Sequence, residues 1–101
     1  MGAYLILDID VNDPEKYKEY VAVAPDFVRK YQGTYLVRGG DPENREGEWH
    51  PSRIVVLSFP SREQARALLD DPEYRAVAEI RWTSTVSKAV LVDGFDETRG
   101  S

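Results

Sequence analysis

From Ala3 to Asp10 the chain is almost continuously apolar. A two-residue period puts Tyr4, Ile6 and Asp8 on one face and Ala3, Leu5, Leu7 and Ile9 on the other. Both faces of this strand are mostly apolar, so both are expected to be covered, with the Asp8 carboxylate as the exception. The period then becomes helical. Asp13 suits the N-cap, Pro14 the first helical position and Glu15 the positive end of the helix dipole. Tyr17, Tyr20, Val21, Ala24, Val28 and Tyr31 follow at helical spacing. Pro25 removes a backbone bond to Val21 and predicts a kink or a break. Gly33 is placed to end the helix in a left-handed conformation.

A second strand covers Thr34 to Arg38 and runs into Gly39-Gly40-Asp41-Pro42, after which residues 41–51 read as a polar loop or loose hairpin tip. Arg53 to Phe59 is a third strand, apolar on both faces and stopped by Pro60. Ser61-Arg62-Glu63-Gln64 has capping-box spacing and opens a second helix with Ala65, Leu68 and Leu69 as its stripe. Asp71-Pro72-Glu73 opens a short third helix with Tyr74, Val77 and Ala78 facing inward. Ser84 to Asp93 is the last strand. The order is that of an α+β, ferredoxin-like βαββαβ sandwich with an antiparallel sheet. Residues 1–95 make one domain and residues 96–101 a flexible tail. Helices cover one sheet face, and the other is bare in a single copy. A homodimer packed through these sheet faces is therefore expected.

Composition narrows the function classes. The 101-residue chain is 42% hydrophobic and 31% charged, enough for one packed core. A net charge of -5 without a basic run argues against nucleic-acid and anionic-membrane surfaces. There is no cysteine, which excludes disulfides and thiolate chemistry. No apolar run approaches the roughly 18 residues of a membrane span, and no signal-peptide pattern opens the chain, so cytoplasmic residence is the default.

The candidate chemistry centres on Arg38 and the double glycine after it. Its guanidinium is suited to a carboxylate or enolate of a small ligand. Gly39 and Gly40 would let that ligand approach backbone N–H groups. The alternative is an arginine paired with Asp8 or another acid and a glycine pair that only makes the turn. Asp8, in apolar surroundings, is a candidate general base, or else it sits at the strand end, solvated or paired with Arg38 or Arg53. His50 is the only histidine and is an acid/base group, a haem ligand or a solvated loop residue. Tyr35 and Trp49 are the better pocket-lining aromatics, whereas Tyr17 and Tyr20 read as core. Arg53 completes the substrate-binding set. No metal-ligand spacing surrounds His50, and no phosphate loop or dinucleotide fingerprint is present, so no cofactor is expected.

Several segments together carry a resemblance. They are Ala3-Tyr4, Asp13-Pro14 with Tyr17 and Tyr20, Tyr35-Leu36-Val37-Arg38-Gly39-Gly40, Trp49 with Pro51 and Arg53, Phe59-Pro60-Ser61, and Pro72-Glu73-Tyr74. With them the chain resembles the dimeric α/β-barrel superfamily and, within it, the family known as domain of unknown function 1330, over residues 3–94. The resemblance implies two domains packed through their sheets, with a cavity between sheet and helices. It implies no single reaction, because the superfamily spans metal-free oxygenases, haem-associated proteins, isomerases and regulatory domains. Three functions follow as expectations. The first is a cofactor-independent, oxygenase- or isomerase-like enzyme acting on a small organic acid or carbonyl compound, with Arg38 as anchor and Asp8 or His50 as the proton carrier. The second is a non-catalytic homodimer that binds a small anionic or carbonyl ligand in the same cavity. The third is a structural dimer with a filled core.

Overall fold

A computed structural model describes residues 2–95. The elements are β1 (Ala3–Val11), α1 (Pro14–Lys30), β2 (Thr34–Gly39), β3 (Arg53–Phe59), α2 (Arg62–Asp70), α3 (Pro72–Ser84) and β4 (Thr85–Asp93). Each helix begins where a side chain satisfies otherwise unpaired N–H groups. The Asp13 carboxylate accepts from Lys16 N, Ser61 Oγ from Gln64 N, and Asp71 from both Glu73 N and Tyr74 N. The expected tail, residues 96–101, lies outside the described residues.

The four strands form one antiparallel sheet in the order β2-β3-β1-β4. This is the ferredoxin-like arrangement that the element order predicts. In register, Leu5 faces Leu57 and Leu91, and Leu7 faces Val55. With Ile9 and Phe59 these side chains meet Val28 of α1, Leu68 of α2 and Tyr74 of α3 in a single core. The alternate positions of the same strands, among them Tyr4, Ile6, Asp8, Val56, Lys88 and Val90, point away from all three helices. Of these, Val90 is 53% exposed, against 2% for Leu5. Only one face is covered within a single copy, and the other is bare, as expected of one copy alone.

Three local expectations need correction. Of the kink or break expected at Pro25, the break does not occur: α1 runs on through it, because Pro25 removes one donor while the residues around it, Ala24 and Val28, stay buried. The left-handed residue after α1 is Gln32 (φ 64°), not Gly33. Its N–H bonds to Arg29 O and that of Gly33 to Val28 O, the paired closure of a Schellman turn. Glycine is needed at position 33 for a different reason: a Cβ there would lie 2.7 Å from the Phe59 ring and 2.8 Å from Val28 Cγ1. Finally, α3 is not short. It spans 13 residues and buries Arg81 and Ser84 beyond the expected Tyr74 and Ala78.

Candidate functional site

A cavity lies between α1 and the sheet, floored by Leu5, Leu7, Ile9, Val55 and Leu57. Its polar lining is unusual for what it contains and what it omits. Tyr17 and Tyr20 enter from α1, Tyr35 and Arg38 from β2, Arg53 from β3 and Tyr74 from α3. No carboxylate, amide or imidazole lines it among the described residues. The strands position these groups through register. Arg53 pairs with Ile9 and Arg38 with Val55, so both arginines fall on the covered face. A bulge between Tyr35 and Val37 shifts the register and lets Tyr35 and Arg38 share that face.

The arginines are held by aromatic and neutral groups. Arg53 Nε donates to Tyr17 Oη at 3.2 Å. The Arg38 guanidinium lies 4.8 Å from the centre of the Tyr35 ring, and its Nη2 reaches Val21 O at 3.4 Å. Neither forms an ion pair with a described acid. Deeper in, Tyr20 Oη and Tyr74 Oη lie 2.7 Å apart. Burial, followed by the neighbouring Tyr74, pushes the Tyr20 phenol well above its ordinary range. Burial also raises Tyr35, against the opposing charge of Arg38. Both phenols therefore stay protonated at neutral pH. The free space is about 20 Å³, which holds about one water.

The remaining candidates lie elsewhere. Asp8 is on the open face, where Trp49 Nε1 donates to its Oδ2 at 2.8 Å. It pairs with neither Arg38 nor Arg53. Trp49, Asp8 and Lys88 border two open depressions, of about 240 and 440 Å³, on that face. His50 borders the smaller one, with its side chain 73% exposed and Glu48 its nearest acid at 3.9 Å. The sheet thus separates Asp8, His50 and Trp49 from Arg38, Arg53 and Tyr35. The glycine pair serves the turn: Gly39 and Gly40 take φ of 96° and 72°. A Cβ on Gly39 would sit 3.0 Å from Arg53 Nη1, so glycine there makes room for the guanidinium. No group of three or more metal-binding side chains occurs among the described residues.

Tyr17 and Tyr20 are core residues, as their spacing predicts, and they also line the cavity; the buried Arg81 has no counterpart among the sequence candidates. Helical spacing identifies an inward face but not whether that face meets packed side chains or a cavity. The available signal was the excess of tyrosine over phenylalanine, six against three, since buried hydroxyls need partners.

The fold recurs in solved structures of low sequence identity. A protein of unknown function from Rhodopseudomonas palustris superposes with a TM-score of 0.77 at 15% identity, covering 94% of this chain and 83% of its own. SnoaB, a cofactor-independent oxygenase from Streptomyces nogalater, gives 0.67 at 14% identity over 94% of both chains. A dimeric ferredoxin-like protein of unknown function from Thermobifida fusca gives 0.57 at 17% identity, covering 93% and 92%. No protein of curated function matches in sequence. The family model described as domain of unknown function (DUF1330) matches residues 2–95, nearly the whole chain, and the protein belongs to that family.

Proposed function

We propose that this protein is a cytoplasmic homodimer that binds a small anionic or carbonyl-bearing organic molecule in the cavity beneath α1. The observation that carries this reading is the pair of arginines, Arg38 and Arg53, lining one apolar cavity with no described acid to neutralise them. Arg38 stands exposed at the mouth and Arg53 half-buried within, and two cations converging on an apolar cavity suit a ligand that brings the opposite charge. Binding without catalysis is favoured over an enzyme using Asp8 or His50, because those groups sit across the sheet. Ligand entry requires the cavity to open. Arg38 is the movable part, exposed at the mouth on edge strand β2 and tied to α1 only by its long contact with Val21 O.

A second reading, a cofactor-independent oxygenase- or isomerase-like enzyme, draws support from the Tyr20–Tyr74 hydroxyl pair inside the cavity and from the shared fold of SnoaB. In that case a phenol rather than a carboxylate handles the proton. The homodimer rests on the apolar open face, with Val86 62% and Val90 53% exposed in one copy. The dimeric Thermobifida protein of the same fold adds support.

The test is Arg38→Ala, screened by calorimetry against small carboxylic acids and carbonyl compounds. The expected result is an intact dimer that no longer binds the acids taken up by the parent. Dissociation or unfolding of the variant would make Arg38 structural and remove the reading.

A further inference from the structure

Arg38 and Arg53 are close neighbours in the fold. Arg38 of β2 lies directly opposite Val55 of β3, and Arg53 precedes Val55 by two residues on the same strand. The two arginines are therefore diagonal neighbours on the covered face, with backbones about 7–8 Å apart. Their contacts on α1 agree: Arg53 meets Tyr17 and Arg38 meets Val21, one helical turn further on. The Arg53 guanidinium also reaches toward its neighbour. Its Nη1 would lie 3.0 Å from a Cβ on Gly39, the residue that follows Arg38. Both cations thus gather at one rim of the cavity, beside the Gly39-Gly40 turn, rather than at its two ends.

The two side chains are held without being neutralised. Arg53 Nε donates to Tyr17 Oη, while its Nη groups have no hydrogen-bond partner among the described residues. Arg38 makes one long contact, to Val21 O, and rests on the Tyr35 ring. No described acid pairs with either. Inward of this rim the lining changes. Leu5, Leu7 and Leu57 floor the cavity, and Ala24 closes it from α1. The polar groups there are phenols. Tyr20 and Tyr74 satisfy each other at 2.7 Å, and Tyr35 offers one neutral hydroxyl. A phenol can bond a buried charge but cannot balance it.

We propose that Arg38 and Arg53 form a two-armed clamp for a single carboxylate, so that the ligand is a monocarboxylic acid whose uncharged, apolar body lies inward over the sheet. This rests on the ligand-binding reading above and names the ligand class of that same cavity. A carboxylate between the arms can accept from a guanidinium on each side, at about 2.7–2.9 Å. An uncharged carbonyl compound would leave two neighbouring cations unbalanced. A dicarboxylate charged at both ends would carry its second charge among leucines and phenols, with no cation to meet it. A monocarboxylate satisfies both ends of the cavity.

The experiment titrates the full-length protein with three ligands on each of two bodies: hexanoate, hexanamide and adipate; phenylacetate, phenylacetamide and 1,4-phenylenediacetate. Calorimetry gives the affinity, and the ring resonances of Tyr17 and Tyr35, which hold the two arginines, give the location. At least one monocarboxylate should shift both tyrosines. It should bind at least about tenfold more tightly than its amide and its dicarboxylate, since an unbalanced buried charge costs more than one tenfold step. Arg38→Met and Arg53→Met should each remove most of the preference for acid over amide. The double substitution should weaken the acid by less than the product of the single losses, because both arms hold one group. Should Arg53→Met fail to fold, Arg53→Lys takes its place, since it keeps the charge and loses the fork. A dicarboxylate that binds in the cavity as tightly as its monocarboxylate would overturn the clamp and leave the ligand-binding reading standing. So would losses that multiply in the double variant, which would put the two arginines on separate groups. An amide equal to its acid would overturn the carboxylate as the bound group. If no ligand moves the tyrosines, the cavity reading falls and the clamp falls with it.

Discussion

The two faces of the sheet are built from the same strands and differ in almost every other respect. On the covered face Leu5, Leu7, Ile9 and Phe59 are at most 4% exposed. Its charged groups are arginines, held by phenols, hydroxyls and a backbone carbonyl. On the open face Val86, Val90 and Val92 are 37–62% exposed, and charge is mixed, with Asp8 directly opposite Lys88 in register. The first face is complete within one chain apart from its unmatched cations. The second carries charges of both signs but lacks a cover for its valines. The difference teaches what each face lacks: an anion on one side and an apolar surface on the other.

The sharpest way to break this comparison is to place the same carboxylate on each face. Phe59→Asp buries an unpaired charge at a cost of several kcal/mol, comparable to the 5–15 kcal/mol by which a domain of this kind is stable. It should give no folded protein, with no cooperative urea transition. Val90→Asp adds a carboxylate at a half-exposed position and should cost a protomer only about 1 kcal/mol. It should instead abolish the dimer, giving a folded monomer by light scattering. A Val90→Asp variant that remains a dimer would show that the copies do not meet through this face.

The second test asks how tightly the covered face is packed where β2 leaves the helix layer. Gly33→Ala drives a methyl into the Phe59 ring and Val28, both 3% exposed or less. Overpacking of this kind costs about 1–3 kcal/mol, read as a lower urea midpoint. An unchanged midpoint would mean that the Phe59 ring gives way freely and that this corner is loosely packed.

Much of this was legible in the sequence because it depends on short-range rules. The strand Arg53–Phe59 and the caps Asp13, Ser61 and Asp71 follow from period and capping chemistry, and they stand where those rules place them. The candidate site was only half legible. Arg38, Arg53 and Tyr35 come together, but the bulge that allows it depends on pairing with β3, which no local pattern encodes. Asp8 sits on a known face of β1, but which face the helices cover is decided by long-range packing, and Trp49 reaches it from a loop with no periodicity at all. Arg81 was missed because charge usually marks an exposed position, and only the tertiary structure shows this one buried.

A smaller effect concerns how the helix layer on the covered face is held. Asp71 caps α3, accepts from the Tyr31 hydroxyl and meets Lys30 Nζ at 3.2 Å, so one carboxylate ties the end of α1 to the start of α3. The Tyr31 hydroxyl above all, with Lys30 and the two backbone N–H groups, lowers its pKa from an ordinary 3.8 to about 2, against the effect of burial. A carboxylate depressed in the folded state adds stability that is fully present above its unfolded pKa and is lost as pH falls toward the folded one. The urea midpoint should therefore drop as pH falls from about 4 to about 2, and Asp71→Asn should flatten that part of the profile. An Asp71→Asn profile parallel to the parent would locate the acid sensitivity elsewhere.

The smallest effect is a gain, one residue away from the costly Gly33 substitution. Gln32 holds φ at 64°, where an L side chain crowds the following carbonyl at a cost of about 1–2 kcal/mol. Glycine there removes the crowding but adds freedom to the unfolded chain, worth about 0.4–1 kcal/mol in the opposite direction. The balance for Gln32→Gly is a gain of roughly 0.5 kcal/mol, visible as a small rise in urea midpoint. Gln32 does not line the cavity, so acid binding should be unchanged. Stabilisation with unchanged binding would show that this turn holds the edge of the covered face without gating its ligand. Stabilisation with weaker binding would show instead that β2 must swing at this turn for the cavity to open.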